Sequence, residues 1–134
     1  MTALAWGVKD SLLRYVRGMP DGRVELTGVT EQDGLFLFPA TDAGPGRFTG
    51  SITLLGHHGM MRVVIADPQI TPTSEGATLS IADPDDPGLR LVFARIARFD
   101  GRRATGTVLT DDGADLFFGP YSDGTALDDP RIVD

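Results

Sequence analysis

The chain has 134 residues, enough for one domain whose core needs no covalent staples. Cysteine is absent, which excludes disulfides, iron–sulfur clusters and thiolate zinc sites. Lys and Arg total 12 against 19 Asp and Glu, and the net charge of −7 opposes phosphate binding, so DNA, RNA and anionic membrane surfaces are poor partners.

Lys9 is the sole lysine, which leaves the remaining positive charge on arginine, a residue suited to planar contacts with carboxylates. The first residues lack the basic, apolar and small-residue succession of an export signal. Nowhere do the roughly 20 apolar residues of a membrane span occur together. As written, the chain is expected in the cytoplasm.

In chain order, "WGVKDSLLRYVRGMP" places Val8, Leu12, Tyr15 and Val16 on one helical face, with Gly18 and Pro20 as stop signals. The spacing predicts a short N-terminal helix with Tyr15 toward the core side, although faces through Trp6 and Leu13 are also open. Short runs follow, separated by Gly, Pro and Asp: "RVELTGV", "LFLFP", "RFTGSITLL", "MRVVIADP", "ATLSIAD", "LRLVFARIARF" and "ATGTVLT". Phe48, Ile52 and Leu54 alternate with Thr49, Ser51 and Thr53, and Ala77, Leu79 and Ile81 with Thr78 and Ser80, as half-buried strands do. Strands at this spacing predict a mainly β fold, an antiparallel β-sandwich or barrel-like domain. In "TDDGADLFFGPY" the period changes. Thr110 or Asp111 can cap a short second helix, after which Leu116, Phe117 and Phe118 return apolar weight to the core. The tail "LDDPRIVD" reads as a frayed end. No repeat or linker divides the chain, so residues 1–134 read as a single unit.

Chemistry-bearing residues are few. "LLGHHGMM" holds both histidines, and on a continuing strand adjacent side chains point to opposite faces, so at most one of His57 and His58 faces the core. A strand-end histidine bonded to backbone, in a turn shaped by Gly56 and Gly59, is the more ordinary explanation of the pair. Zinc needs three or four convergent ligands, which two diverging imidazoles do not supply. Asp83, Asp85 and Asp86 offer hard oxygens for calcium, but the loop lacks EF-hand spacing and reads as a solvated turn. None of the serines sits in a G-x-S-x-G elbow, and neither G-x-G-x-x-G nor a P-loop is present, so acyl and phosphoryl transfer have no support. Tyr15, Tyr121 and the histidine pair remain, among Trp6, Met19, Met60, Met61, Phe117 and Phe118. Composition and spacing do not decide whether these build a core or a cofactor site.

Three motifs in order, from Trp6 to Pro130, resemble the HtaA-type haem-transport domain of actinobacterial surface and secreted haem-uptake proteins. They are "WGVKDSLLRYVRG", "GSITLLGHHGMMRVVIADPQI" with its G-H-x-G element, and "GTVLTDDGADLFFGPYSDGTALDDP". The resemblance implies ferric haem b as ligand, Tyr15 as axial ligand to iron, and His57 and Tyr121 in support. His58, at the variable position of G-H-x-G, is the alternative for the histidine role. Phe36, Phe38, Met60, Met61 and Phe118 are candidate apolar walls, and Arg14, Arg17 or Arg62 candidate partners for the propionates.

The implied chemistry is coherent. A free phenol ionises near pH 10, so a phenolate at neutral pH requires the charge of ferric iron and a hydrogen-bond partner. An anionic oxygen donor favours ferric over ferrous iron, which suits a non-enzymatic carrier that hands haem to other haem-transfer proteins. Tyr15 oxygen and the nearer imidazole nitrogen are then expected about 2.6–3.2 Å apart, or slightly more. Two other readings compete: a β-sandwich interaction module that does not bind haem, and an enzyme using Tyr15 and His57 in acid/base or haem-degrading chemistry.

Overall fold

The computed structural model describes residues 2–117 and 119–134. Phe118 therefore lies outside the described residues. The elements in order are β1 (Ala3–Trp6), α1 (Asp10–Gly18), β2 (Arg23–Thr27), β3 (Thr30–Gln32), β4 (Leu35–Pro39), β5 (Ser51–Gly56), β6 (Met61–Ala66), β7 (Gln69–Thr73), β8 (Gly76–Ala82), β9 (Arg90–Phe99), β10 (Ala104–Leu109), α2 (Asp111–Ala114) and β11 (Arg131–Val133). All named strand pairs are antiparallel, in sheets ordered β11-β1-β4-β3, β10-β9-β8-β7 and β2-β5-β6. The fold is the mainly β sandwich, with two short helices, that the strand spacing predicts.

Period-2 patterning sets the registers. Ile52 pairs with Ile65 and Leu54 with Val63, all four buried, while Thr53 and Val64 pair on the opposite, less buried face. The sheets enclose one continuous core around Trp6, Phe36, Phe38 and Phe93, all fully buried. Each such aromatic contributes about 1.5–3 kcal/mol relative to an exposed position. Phe36 and Phe38 are therefore core residues and not walls of a ligand site. Trp6 meets Phe93 edge-on, ring centroids 5.9 Å apart, and its indole N–H donates to the Asp128 carbonyl at 2.7 Å. A buried indole needs such a partner.

Four strands lack a strong sequence signal. The apolar residues of β1 precede the helix instead of joining it: Leu4 and Trp6 enter the core of a strand paired with β4 and β11. The tail is not frayed, because Ala3, Leu4 and Ala5 pair with Val133, Ile132 and Arg131, and Leu127 is buried. β3 and β7 are edge strands; β3 is wholly exposed and β7 contains Pro72 and buries Ile70. Edge strands need no apolar alternation and tolerate proline.

α1 starts at Asp10, later than Val8, which sits in the left-handed region at φ 62°. Its buried stripe is Leu12, Leu13 and Val16. At 100° per residue, Tyr15 lies about 100° from the middle of that stripe, and it is 53% exposed, not directed at the core as expected. Asp10 in the first turn and Arg17 in the last complement the helix dipole. Arg17 forks onto both carboxylate oxygens of Glu31 in β3, at 2.8 and 2.9 Å, and so ties the helix end to the sheet.

Candidate functional site

A cleft of about 350 Å³ opens where α1, the β5–β6 connection and the segment after α2 meet. Leu12, Met61, Phe117 and Pro120 give it apolar walls, and Tyr15, His57 and Tyr121 bring polar atoms to it. Both tyrosines and one of the two histidines thus converge. A larger, open cleft of about 560 Å³ elsewhere is lined by Arg47, Phe48, Ile70 and Phe99 and contains neither residue type.

The histidines do not continue β5. Gly56 pairs with Met61, and the intervening residues form a tight turn closed by the Met60 N–H on the His57 carbonyl at 3.1 Å. His57 and His58 both occupy the left-handed region, at φ 52° and 55°. Non-glycine residues adopt this conformation seldom, at a cost of order 1–3 kcal/mol, and such residues cluster at functional sites. The turn, and not strand alternation, separates the two imidazoles. The His58 side chain is 95% exposed, while the His58 backbone N–H donates to the Asp21 carboxylate at 2.6 Å. His57 turns toward the helix instead.

The Tyr15 hydroxyl and His57 Nε2 lie 2.6 Å apart, with ring centroids at 5.6 Å. For the phenol to donate, Nε2 must be bare and the imidazole proton must sit on Nδ1. Helix periodicity aims Tyr15 inward, yet the residue is partly exposed and lines the cleft.

The other wall is built from the core outward. Thr110 caps α2 by accepting the Gly113 N–H at 3.0 Å, and its hydroxyl donates to the Val92 carbonyl at 2.5 Å. Gly113 packs on β9 so closely that a β-carbon would lie 2.1 Å from the Phe93 carbonyl oxygen. Phe117 then tilts against Phe93 at 6.0 Å and meets Tyr121 edge-on at 5.1 Å. Burial raises the Tyr121 phenol above its ordinary value, and negative charge on Tyr15 raises it further. Tyr121 is accordingly a neutral hydrogen-bonding group at physiological pH.

The remaining expected residues divide. Met61 lines the cleft, whereas Met60 is 68% exposed and does not line it. Arg17 is engaged by Glu31 and Arg14 by Asp10, while Arg62 pairs across β5 with Leu55, on the face opposite Met61. Lys9, not considered as an anion partner from the sequence, donates to the Ala126 carbonyl at 3.0 Å and stands 5.9 Å from the Tyr121 ring centroid. Pro120 also lines the cleft without a sequence signal. The Asp83 and Asp86 carboxylates accept from the Asp85 and Gly88 N–H groups as turn formers. Among the described residues no three His, Cys, Asp or Glu side chains converge, and no helix is long and apolar enough to cross a membrane.

A family model described as HtaA matches residues 1–132. The crystal structure of the C-terminal domain of HtaA from Corynebacterium glutamicum is similar, with a TM-score of 0.77 at 27% identity over 98% of this chain and 93% of that one. A domain-swapped dimer of a histidine-to-alanine variant of that domain shares the fold, with a TM-score of 0.61 at 23% identity over 92% and 89% of the two chains. No match was found among curated proteins.

Proposed function

The chain belongs to the HtaA family, and on that premise we propose that it binds ferric haem b as cargo, for uptake, transfer or storage, without turning it over. Tyr15 is the axial oxygen ligand and His57 its hydrogen-bond partner; Tyr121 is a second polar group in the cleft. The observation that carries the reading is the 2.6 Å contact between the Tyr15 hydroxyl and His57 Nε2 beside an apolar cleft.

The residues present suit this cargo. A porphyrin is flat and apolar with an acidic rim, and Leu12, Met61, Phe117 and Pro120 supply flat apolar contacts. The cleft falls within the roughly 300–1,000 Å³ range of ligand sites. Ferric iron supplies the positive charge against which a phenolate is stable.

The chain's own residues do the rest. His57 Nε2 stands where it can accept the phenolic proton of Tyr15 and hold it nearby while the oxygen serves as a donor. Returning that proton weakens the oxygen as a ligand, which gives a route for release to another haem-transfer protein. Tyr121, its phenol raised above the ordinary value by burial, keeps its proton and is a neutral polar group lining the same cleft.

Titration with hemin tests this reading. The wild-type protein should develop a Soret band with the charge-transfer feature of tyrosinate ligation, and Tyr15→Ala should abolish that feature and weaken binding by at least tenfold. A spectrum indifferent to the substitution refutes the ligand assignment. Hemin affinity no better than that of an unrelated acidic protein favours the interaction-module reading instead.

A further inference from the structure

The residue that sets His57 against Tyr15 is not in the cleft. The geometry points to Asp21, in the loop between α1 and β2, as the positioning residue that clamps the left-handed histidine turn to the end of the tyrosine-bearing helix. This inference rests on the proposed role of the Tyr15–His57 pair, but it concerns what assembles the pair.

Three observations carry it. First, a turn with two successive non-glycine residues at φ 52° and 55° carries a conformational cost at each, which contacts from outside the turn help to offset. Second, the Asp21 carboxylate accepts the His58 N–H at 2.6 Å, and its Oδ2 lies 3.9 Å from His58 Nδ1. A short side-chain oxygen such as that of Asp or Asn can accept a backbone N–H that a tight turn leaves without a main-chain partner. Third, the chain around Asp21 is fixed to the helix end: the Met19 N–H donates to the Val16 carbonyl at 3.2 Å and the Gly22 N–H to the Met19 carbonyl at 3.1 Å. Gly22 permits this fold-back, since a β-carbon there would overlap the Val16 carbonyl at 1.6 Å.

Asp21 thus joins two segments far apart in sequence through one oxygen, and the residue preceding the one it holds is His57. The same contact keeps the Asp21 carboxyl below the usual carboxylate range, with the His58 backbone hydrogen bond as the main cause. His58 contributes through its main chain. Its exposed imidazole has no part in the clamp beyond weak attraction. The role needs a compact oxygen acceptor at position 21 and not a negative charge as such, which separates Asp21→Asn from Asp21→Ala.

NMR on the ligand-free protein reads the clamp without reference to haem. The wild type should show a nuclear Overhauser contact between the Tyr15 and His57 rings and slow exchange of the His58 amide. Asp21→Ala should lose both, Asp21→Asn should keep both, and the Trp6 indole resonance should be unmoved in each, showing that the fold is intact. Hemin affinity should then fall about tenfold in Asp21→Ala, the lower range for removing a group that orients a metal ligand, and by less than about threefold in Asp21→Asn. Retention of the ring contact in Asp21→Ala overturns the inference, as does equal loss in both variants. If the ring contact depends on Asp21 but the wild type takes up no hemin, the clamp stands and the haem reading falls.

Discussion

The two walls of the cleft are held in different ways. Phe117 and Tyr121 end an aromatic series that begins in the middle of the sandwich at Trp6 and Phe93, each ring 5.1–6.0 Å from the next. Tyr15 and His57 stand on a helix face and a hairpin turn at the surface, joined by polar contacts at Tyr15–His57, Asp21–His58 and Arg17–Glu31. The first wall inherits the rigidity of a close-packed interior. The second rests on hydrogen bonds that water contests, each worth about 0.5–1.5 kcal/mol net. The division keeps the apolar contacts fixed while the polar side of the cleft stays adjustable.

The comparison breaks most severely at Phe93. Phe93 is fully buried, touches both Trp6 and Phe117, and is the shared root of the rigid wall. Phe93→Ala should cost about 3–5 kcal/mol, as truncation of a packed core aromatic does, and urea unfolding should show it as a lowered midpoint at unchanged slope. The cleft should lose shape with it. A loss below about 1 kcal/mol would mean that the wall is not rooted in the core.

Thr110 offers a milder cut at the same wall. Its side chain both caps α2 and reaches the Val92 carbonyl, so Thr110→Ala removes two hydrogen bonds while leaving the aromatic rings in place. The expected cost is about 1–2 kcal/mol, the upper range for a capping residue. Thermal unfolding measures it, and Thr110→Ser should recover most of it. If serine and alanine behave alike, the methyl packing of Thr110, and not the cap, secures the wall.

The same division explains what could be read from the sequence. The packed parts of the fold were legible because packing leaves a pattern: alternation in β5 and β8 indicates strands, and the Thr110 or Asp111 cap signal indicates α2. The edge strands β3 and β7 and the short β11 bury too little to leave one. Helix periodicity misdirected Tyr15 because Val8, which belongs to no helix, was counted in its stripe. His57 and Tyr121 were placed by family resemblance; no local rule indicates that residue 15 meets residue 57. Asp21 was invisible for the same reason: "MPDG" reads as an ordinary turn, and its partner lies 37 positions away. Polar contacts between surface loops leave no periodic trace, so the adjustable wall is the part that required coordinates.

The smallest expected effect sharpens the comparison from the surface side. Arg17 and Glu31 are partly exposed, with side chains 47% and 30% accessible, so solvent screens their attraction despite the two-pronged geometry. Glu31→Gln should therefore cost no more than about 1 kcal/mol at neutral pH. The pH dependence carries more information than the size. The hydrogen bond from Arg17, aided by its charge, holds the Glu31 carboxyl below its ordinary value. A carboxyl lowered in the folded state stabilises fully above its unfolded value, and that stability is lost as pH falls through the folded one. Urea midpoints of wild type and Glu31→Gln should accordingly differ at pH 7 and converge toward pH 3. A gap that persists in acid would show that Glu31 supports α1 through packing of its aliphatic stem, and that the adjustable wall is less dependent on charge than its geometry implies.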